Sequence, residues 1–296
     1  YLGQDDSARR PHYDFYHALA WAHHDHQDYL GLDVESANLE AAFEWALETA
    51  GDAEAALWLA NACMQFMYNR GRFAQILGWH ERVIAALRRA GTSAGGTLPD
   101  VDANPSDRDA PSGVGTSDRD GESDVGAQYI APLPAPLPTP SDDRFTPADP
   151  LLWANAHNSL GVDLQNLPTG DRRAHLRKAI DAYTEALRFY TPDAAPLDYA
   201  MTQNNLGNAY WNLSAIEDRA DNLRRAIDAY TEALRFYTPD AAPLDYAMTQ
   251  NNLGTAYDDL AALTPGPSPE GRGELLQRAI DAYREALRFR TPDAAP

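Results

Sequence analysis

AIDAYTEALRFYTPDAAPLDYAMTQNNLG, residues 179–207, recurs without a change at 226–254, a shift of 47 positions along the chain. A third copy of its first half, RAIDAYREALRFRTPDAAP, occupies 278–296, and WANAHNSLGVDL at 153–164 is a diverged copy of its second half. Self-similarity at a fixed period of this size marks an array of like units that bury their apolar faces against one another.

Each unit reads as two helices. In AIDAYTEALRFY the apolar residues Ala179, Ile180, Tyr183, Ala186, Leu187 and Tyr190 follow the i, i+3, i+4, i+7 spacing of one helix face. Thr191-Pro192 stops that helix, since a residue before proline is pushed out of the α region. DYAMTQNNLGNAYWNL, 198–213, supplies the second helix, with Leu206, Tyr210 and Leu213 on one stripe. Gly207 beside the stripe costs about 1 kcal/mol of helix propensity. The expected compensation is a neighbouring helix crossing closely there, against Ala226 and Ala233.

Leu206, Gly207 and Tyr210 followed by Ala226, Tyr230, Ala233 and Pro239 resemble the tetratricopeptide repeat (TPR) family. The same residues return as Leu160-Gly161 with Ala179, Tyr183, Ala186 and Pro192, and as Leu253-Gly254-Tyr257 with Ala279, Tyr283, Ala286 and Pro292. The period exceeds the usual 34 residues, which is similar to the TPRs of kinesin light chains and of bacterial multidomain signalling proteins. The resemblance implies an all-α solenoid of helix pairs wound as a right-handed superhelix. TPGPSPEGRGE, 264–274, falls in the turn inside a pair and is expected to be a surface loop.

At 100° per residue, Leu206, Ala209, Tyr210 and Leu213 fall on one side of helix 197–213, and Met201, Asn204, Asn208, Trp211 and Asn212 on the other. In a stack of helix pairs that second side would line the concave wall. Equivalent positions form columns: Asn155, Met201, Met248; Asn158, Asn204, Asn251; Val162, Asn208, Thr255; Gln165, Trp211, Asp258. Carboxamides offer a donor and an acceptor at each rung, which suits an extended peptide backbone. The expected peptide-binding groove is therefore Asn155, Asn158, Met201, Asn204, Asn208, Trp211, Met248, Asn251 and Thr255. Light-chain-like TPRs hold peptide backbones with asparagines, a role the resemblance gives to Asn158, Asn204, Asn208 and Asn251. The alternative is that these amides only solvate the wall or bond to adjacent helices. Trp211 reads equally as an apolar anchor or as a cover for its neighbour.

Three segments follow from composition. Residues 1–91 read as helices at roughly 12–29, 34–50, 52–69 and 72–90, with Gly71 and Phe73 at a TPR-like turn. ANLEAAFEWALETAGDAEAALWLA and YNRGRFAQILGWHERVIAAL resemble the helical sensor region of bacterial STAND signalling ATPases, which implies a larger parent protein in which this region restrains or triggers an ATPase. Residues 92–147, rich in Gly, Ser, Asp and Pro with APLPAPLPTP, read as a disordered or extended loop or tether. Residues 148–296 hold three long-period helix pairs. The final phrase TPDAAP twice earlier continues into LDYAMTQ, so at least one more repeat is expected in a parent chain.

Chemistry-bearing motifs are scarce. There is no G-x-x-x-x-G-K-[ST], G-x-S-x-G or H-E-x-x-H, and Cys63, the single cysteine, reads as a buried apolar residue. His17, His23, His24 and His26 with Asp25 and Asp28 read as a solvated face rather than a partial metal shell. No catalytic, cofactor or metal site is expected. The net charge of −20, with Lys178 the only lysine, argues against nucleic acid and for a neutral or basic protein partner. No apolar run reaches the roughly 18 residues of a membrane span, and cytoplasmic residence is the expectation. The function these features imply is protein or peptide recognition by a signalling protein's sensor, the alternative being a scaffold that self-associates through exposed solenoid ends.

Overall fold

The structure, a computed structural model, describes residues 13–20, 32, 35–92, 147–263 and 271–289. Every regular element among them is helical. Residues 13–20 form a helical stretch. Then come α1 (Ser36–Glu44, running into a π-helical turn at Trp45–Thr49), α2 (Ala53–Asn69) and α3 (Phe73–Thr92). The repeats supply α4 (Pro150–Asn166), α5 (Arg172–Ala186), α6 (Pro196–Ser214), α7 (Arg219–Ala233), α8 (Pro243–Leu263) and α9 (Arg272–Arg288). The expected helices at 34–50, 52–69 and 72–90 correspond to α1 with its π turn, α2 and α3. The rest of the expected helix 12–29, the segment 93–146 and most of the insert 264–274 lie outside the described residues.

Local chemistry sets the helix starts. Asp52 accepts from the Ala55 amide (2.9 Å), Asp149 from Leu151 and Leu152 (3.1 and 3.0 Å), and Asp171 from Arg173 and Ala174 (3.0 and 3.2 Å). Each satisfies N–H groups that the first turn leaves without an intrahelical partner. α4, behind its Asp149 cap, and α6 and α8 open on Pro150, Pro196 and Pro243, whose fixed φ suits the first helical position. At the turn between α2 and α3, Gly71 adopts φ +68°, a left-handed conformation that costs other residues more.

Each helix packs on its neighbours in sequence, most extensively within the pairs α4–α5, α6–α7 and α8–α9, and the leading helices α4, α6 and α8 also touch in succession. Within each pair a glycine meets a ring. A Cβ on Gly207 would stand 2.6 Å from Cε1 of Tyr230, and Gly161 and Gly254 face Tyr183 and Tyr283 in the same way. Ala226 and Ala233 are fully buried, as their pattern implies, yet the close approach at Gly207 is to the tyrosine between them. A polar stitch accompanies it: Trp153 Nε1–H, Tyr199 O–H and Tyr246 O–H donate to Glu185, Glu232 and Glu285 at 2.9, 3.0 and 3.1 Å.

One apolar core runs without a break from Tyr13 through α1, α2 and α3 into α4, α5 and Ala209 of α6. The amino-terminal helices and the repeats therefore share a core, with α3 seated directly on α4.

Candidate functional site

The two asparagines of the repeated Gln-Asn-Asn do different jobs. Asn204 accepts from Thr249 Oγ1 (3.2 Å) and Asn252 Nδ2 (3.3 Å) of α8. One repeat earlier, Asn158 accepts from Thr202 Oγ1 (3.3 Å) and Asn205 Nδ2 (3.2 Å) of α6. The first asparagine is thus an acceptor for the next leading helix and the second a donor to the previous one. Asn158 is 6% exposed and Asn204 3%. The expected placement of these two on an open groove wall is corrected: they are enclosed between leading helices, where an unpaired amide would cost far more than a paired one gains.

The other expected groove residues are more open. Met201, Asn205, Asn208 and Asn212, at i, i+4, i+7 and i+11 on α6, form a half-buried row that continues on α8 as Met248, Asn252, Thr255 and Asp259. Asn208 Oδ1 accepts from Tyr230 O–H (2.7 Å) and Asn252 Nδ2 (3.3 Å), while its own Nδ2 bonds to no described residue. Thr255 Oγ1 accepts from Tyr283 O–H (3.2 Å). Asn251 is half-buried. Trp211, 37% exposed, donates Nε1–H to Asp259 (2.9 Å), which Arg219 also holds (3.2 Å), so it reaches across to the next repeat and keeps an open face.

Asn155 belongs to a different set. Its Oδ1 accepts from Asn61 Nδ2 of α2 (3.3 Å); Asn61 Oδ1 faces His80 Nε2 (3.0 Å); His80 Nδ1 lies 2.5 Å from Asp163 Oδ2; and Tyr68 O–H donates to Asp163 Oδ1 (2.6 Å). His80 and Asp163 are both fully enclosed. Burial and the adjacent Asp163 carboxylate raise the Tyr68 hydroxyl well above its ordinary range. Apart from Asn155, which was expected on the groove, this network, which joins the amino-terminal helices to α4, is missing from the sequence-based site. Its signal was Asp163, a carboxylate standing in register with Ala209 and Ala256.

Among the described residues no group of three or more His, Cys, Asp or Glu is placed to hold a metal ion. His23, His24 and His26 lie outside them. Cys63 is fully buried, and burial pushes its thiol up to about 12, which keeps it protonated and unreactive. No described helix is long and apolar enough to cross a membrane. Comparison with protein-family models gives no match to this chain, and no curated protein matches it significantly.

Proposed function

We propose that the chain is a TPR-like helix-pair solenoid that recognises a protein or peptide segment along the row formed by the leading helices, as the sensing or interaction region of a larger bacterial signalling protein. The observation that carries this reading is the composition of that row. Met248, 39% exposed, and Met201 lie in line with Asn205, Asn208 and Asn252, beside the open face of Trp211. Flexible thioethers and an indole supply adaptable apolar anchors. The Asn208 Nδ2 and Asn205 Oδ1, which no described residue uses, supply a donor and an acceptor for a bound backbone. The chain's acidity selects neutral or basic partners. A ligand bound there with different affinity for two states of a parent protein would shift the balance between them.

The test is selection of peptides from a random displayed library on the full chain, followed by binding to variants. Met248→Ala with Trp211→Ala should weaken the selected peptides at least tenfold and leave the melting temperature within a few degrees. Peptides that bind both forms equally would place recognition elsewhere.

A further inference from the structure

The leading helices stand in one register: Asn158 meets Thr202 and Asn205, and Asn204 meets Thr249 and Asn252 in the same way. Positions that match in the repeat therefore line up across α4, α6 and α8. At the second residue of each helix the line is leucine: Leu151, Leu197 and Leu244 are 45%, 46% and 62% exposed. Leu197 has a packed pair on either side, α4–α5 and α8–α9, so its exposure belongs to the interior of the array. One turn further along, at i+4, Met201 and Met248 continue this apolar rim toward the row already described.

The charge around the rim is of one sign. Lys and Arg are absent from 145–171, 189–218 and 236–263, which hold the leading helices and the turns before them. Asp193 and Asp198, both exposed, flank Leu197 in sequence, as Asp240 and Asp245 flank Leu244. The arginines that precede them, Arg188 and Arg235, are tied to Glu185 and Glu232 at 2.9 and 2.7 Å.

Taking the leading helices as the recognition surface, we propose that this rim binds a basic peptide in the polyproline II conformation. An apolar side chain at every third residue sits on Leu151, Leu197 and Leu244, and Lys or Arg between them faces the aspartates. The step between helices selects the conformation. Packed helices lie roughly 8–10 Å apart, and a three-residue turn of polyproline II advances about 9 Å and returns its side chains to the same face. A β-strand covers a similar distance in three residues but alternates faces, so its third side chain points away. The acidic surroundings favour cationic residues at the remaining positions. APLPAPLPTP, 131–140 of this chain, is the poorer occupant: its leucines, Leu133 and Leu137, are four apart and it has no basic residue.

The probe is the fluorescein-labelled peptide RPLRPLRPLR, titrated with the full chain and read by anisotropy. Saturable one-to-one binding is expected, weakened at least tenfold by Leu151→Ser with Leu197→Ser. Asp193→Asn with Asp198→Asn should weaken it and make it less sensitive to salt. These side chains are on the surface, so the melting temperature should stay within a few degrees. RLRLRLRPPP, of the same composition with leucine at every second position, EPLEPLEPLE and APLPAPLPTP should each bind at least tenfold more weakly. Trp211→Ala should leave the probe's affinity unchanged, because Trp211 stands about 21 Å along α6 from Leu197. Absence of saturable binding, equal binding of any comparison peptide, or loss with Trp211→Ala rather than with the leucine variant overturns the proposal. The broader reading fails separately, if no library peptide depends on Met248 and Trp211. A concentration-dependent dimer in sedimentation that the leucine variant dissolves also overturns the proposal, since the rim would then belong to a second copy.

Discussion

His80 and Asp163, 83 positions apart in the chain, meet at 2.5 Å in a site closed to water, with Asn61 on the other ring nitrogen and Tyr68 on the other carboxylate oxygen. The pair couples α3 to α4 and so joins the two regions on either side of 93–146. Removing one partner strands the other in a dry environment, which typically costs about 3–5 kcal/mol. His80→Ala and Asp163→Asn should each lower the urea midpoint sharply. The pair His80→Leu with Asp163→Ala, which restores the alanine found at 209 and 256, should recover part of the loss, the remainder being the cost of leaving the Tyr68 hydroxyl and the Asn61 oxygen without these partners. A double variant no better than the singles would show that the network does more than satisfy itself.

Asn204 and Asn251 hold the same place in successive repeats but differ in surroundings, and their variants should differ accordingly. Asn204→Ala leaves Thr249 Oγ1 and Asn252 Nδ2 without that acceptor, a loss of about 1–3 kcal/mol. Asn251→Ala removes a half-exposed amide and should stay within about 0.5 kcal/mol. Unfolding of the two variants side by side reads this directly. Equal effects would mean that the buried rung carries no stability of its own.

The helices were legible in the sequence because the 47-residue repeat, the proline starts and the 3.6-residue apolar spacing all act locally. What escaped was the direction of individual side chains across layers. A helical wheel sets Asn204 opposite Leu206 and says nothing of which neighbour closes over it; that was decided by Thr249 and Asn252, 45 and 48 residues away. Asn205 escaped for the same reason, since its partner Asn158 lies 47 residues back. Gly207 was legible as a close approach, whereas the identity of its neighbour depended on the rotamer of Tyr230.

That contact makes its own prediction. Gly207→Ala gains about 1 kcal/mol in helix propensity, but its Cβ would stand 2.6 Å from the Tyr230 ring, which Asn208 holds through the hydroxyl at 2.7 Å. Overpacking of this kind costs about 1–3 kcal/mol, so net destabilisation is expected. Tyr230→Leu, which withdraws the ring, should make the same glycine change neutral or favourable. Thermal melts of the single and double variants give the coupling energy.

A second buried histidine makes the fold sensitive to acid. His157, 4% exposed and tilted against the Trp153 ring with centroids 4.3 Å apart, donates Nδ1–H to the Trp153 carbonyl at 2.9 Å. Burial outweighs the Trp153 carbonyl and the Glu185 charge and lowers its pKa from 6.5 to about 4. Between those values the unfolded chain binds the proton and the folded one does not, so stability falls as pH drops through that window. The contribution is about 2–3 kcal/mol between pH 7 and pH 4.5, at 1.36 kcal/mol per pKa unit. Carboxylates titrate over the same range, so the informative quantity is the difference between the native chain and His157→Gln. That difference should shift toward the variant by this amount on acidification. A gap that stays constant with pH would mean that the imidazole charges in place without cost.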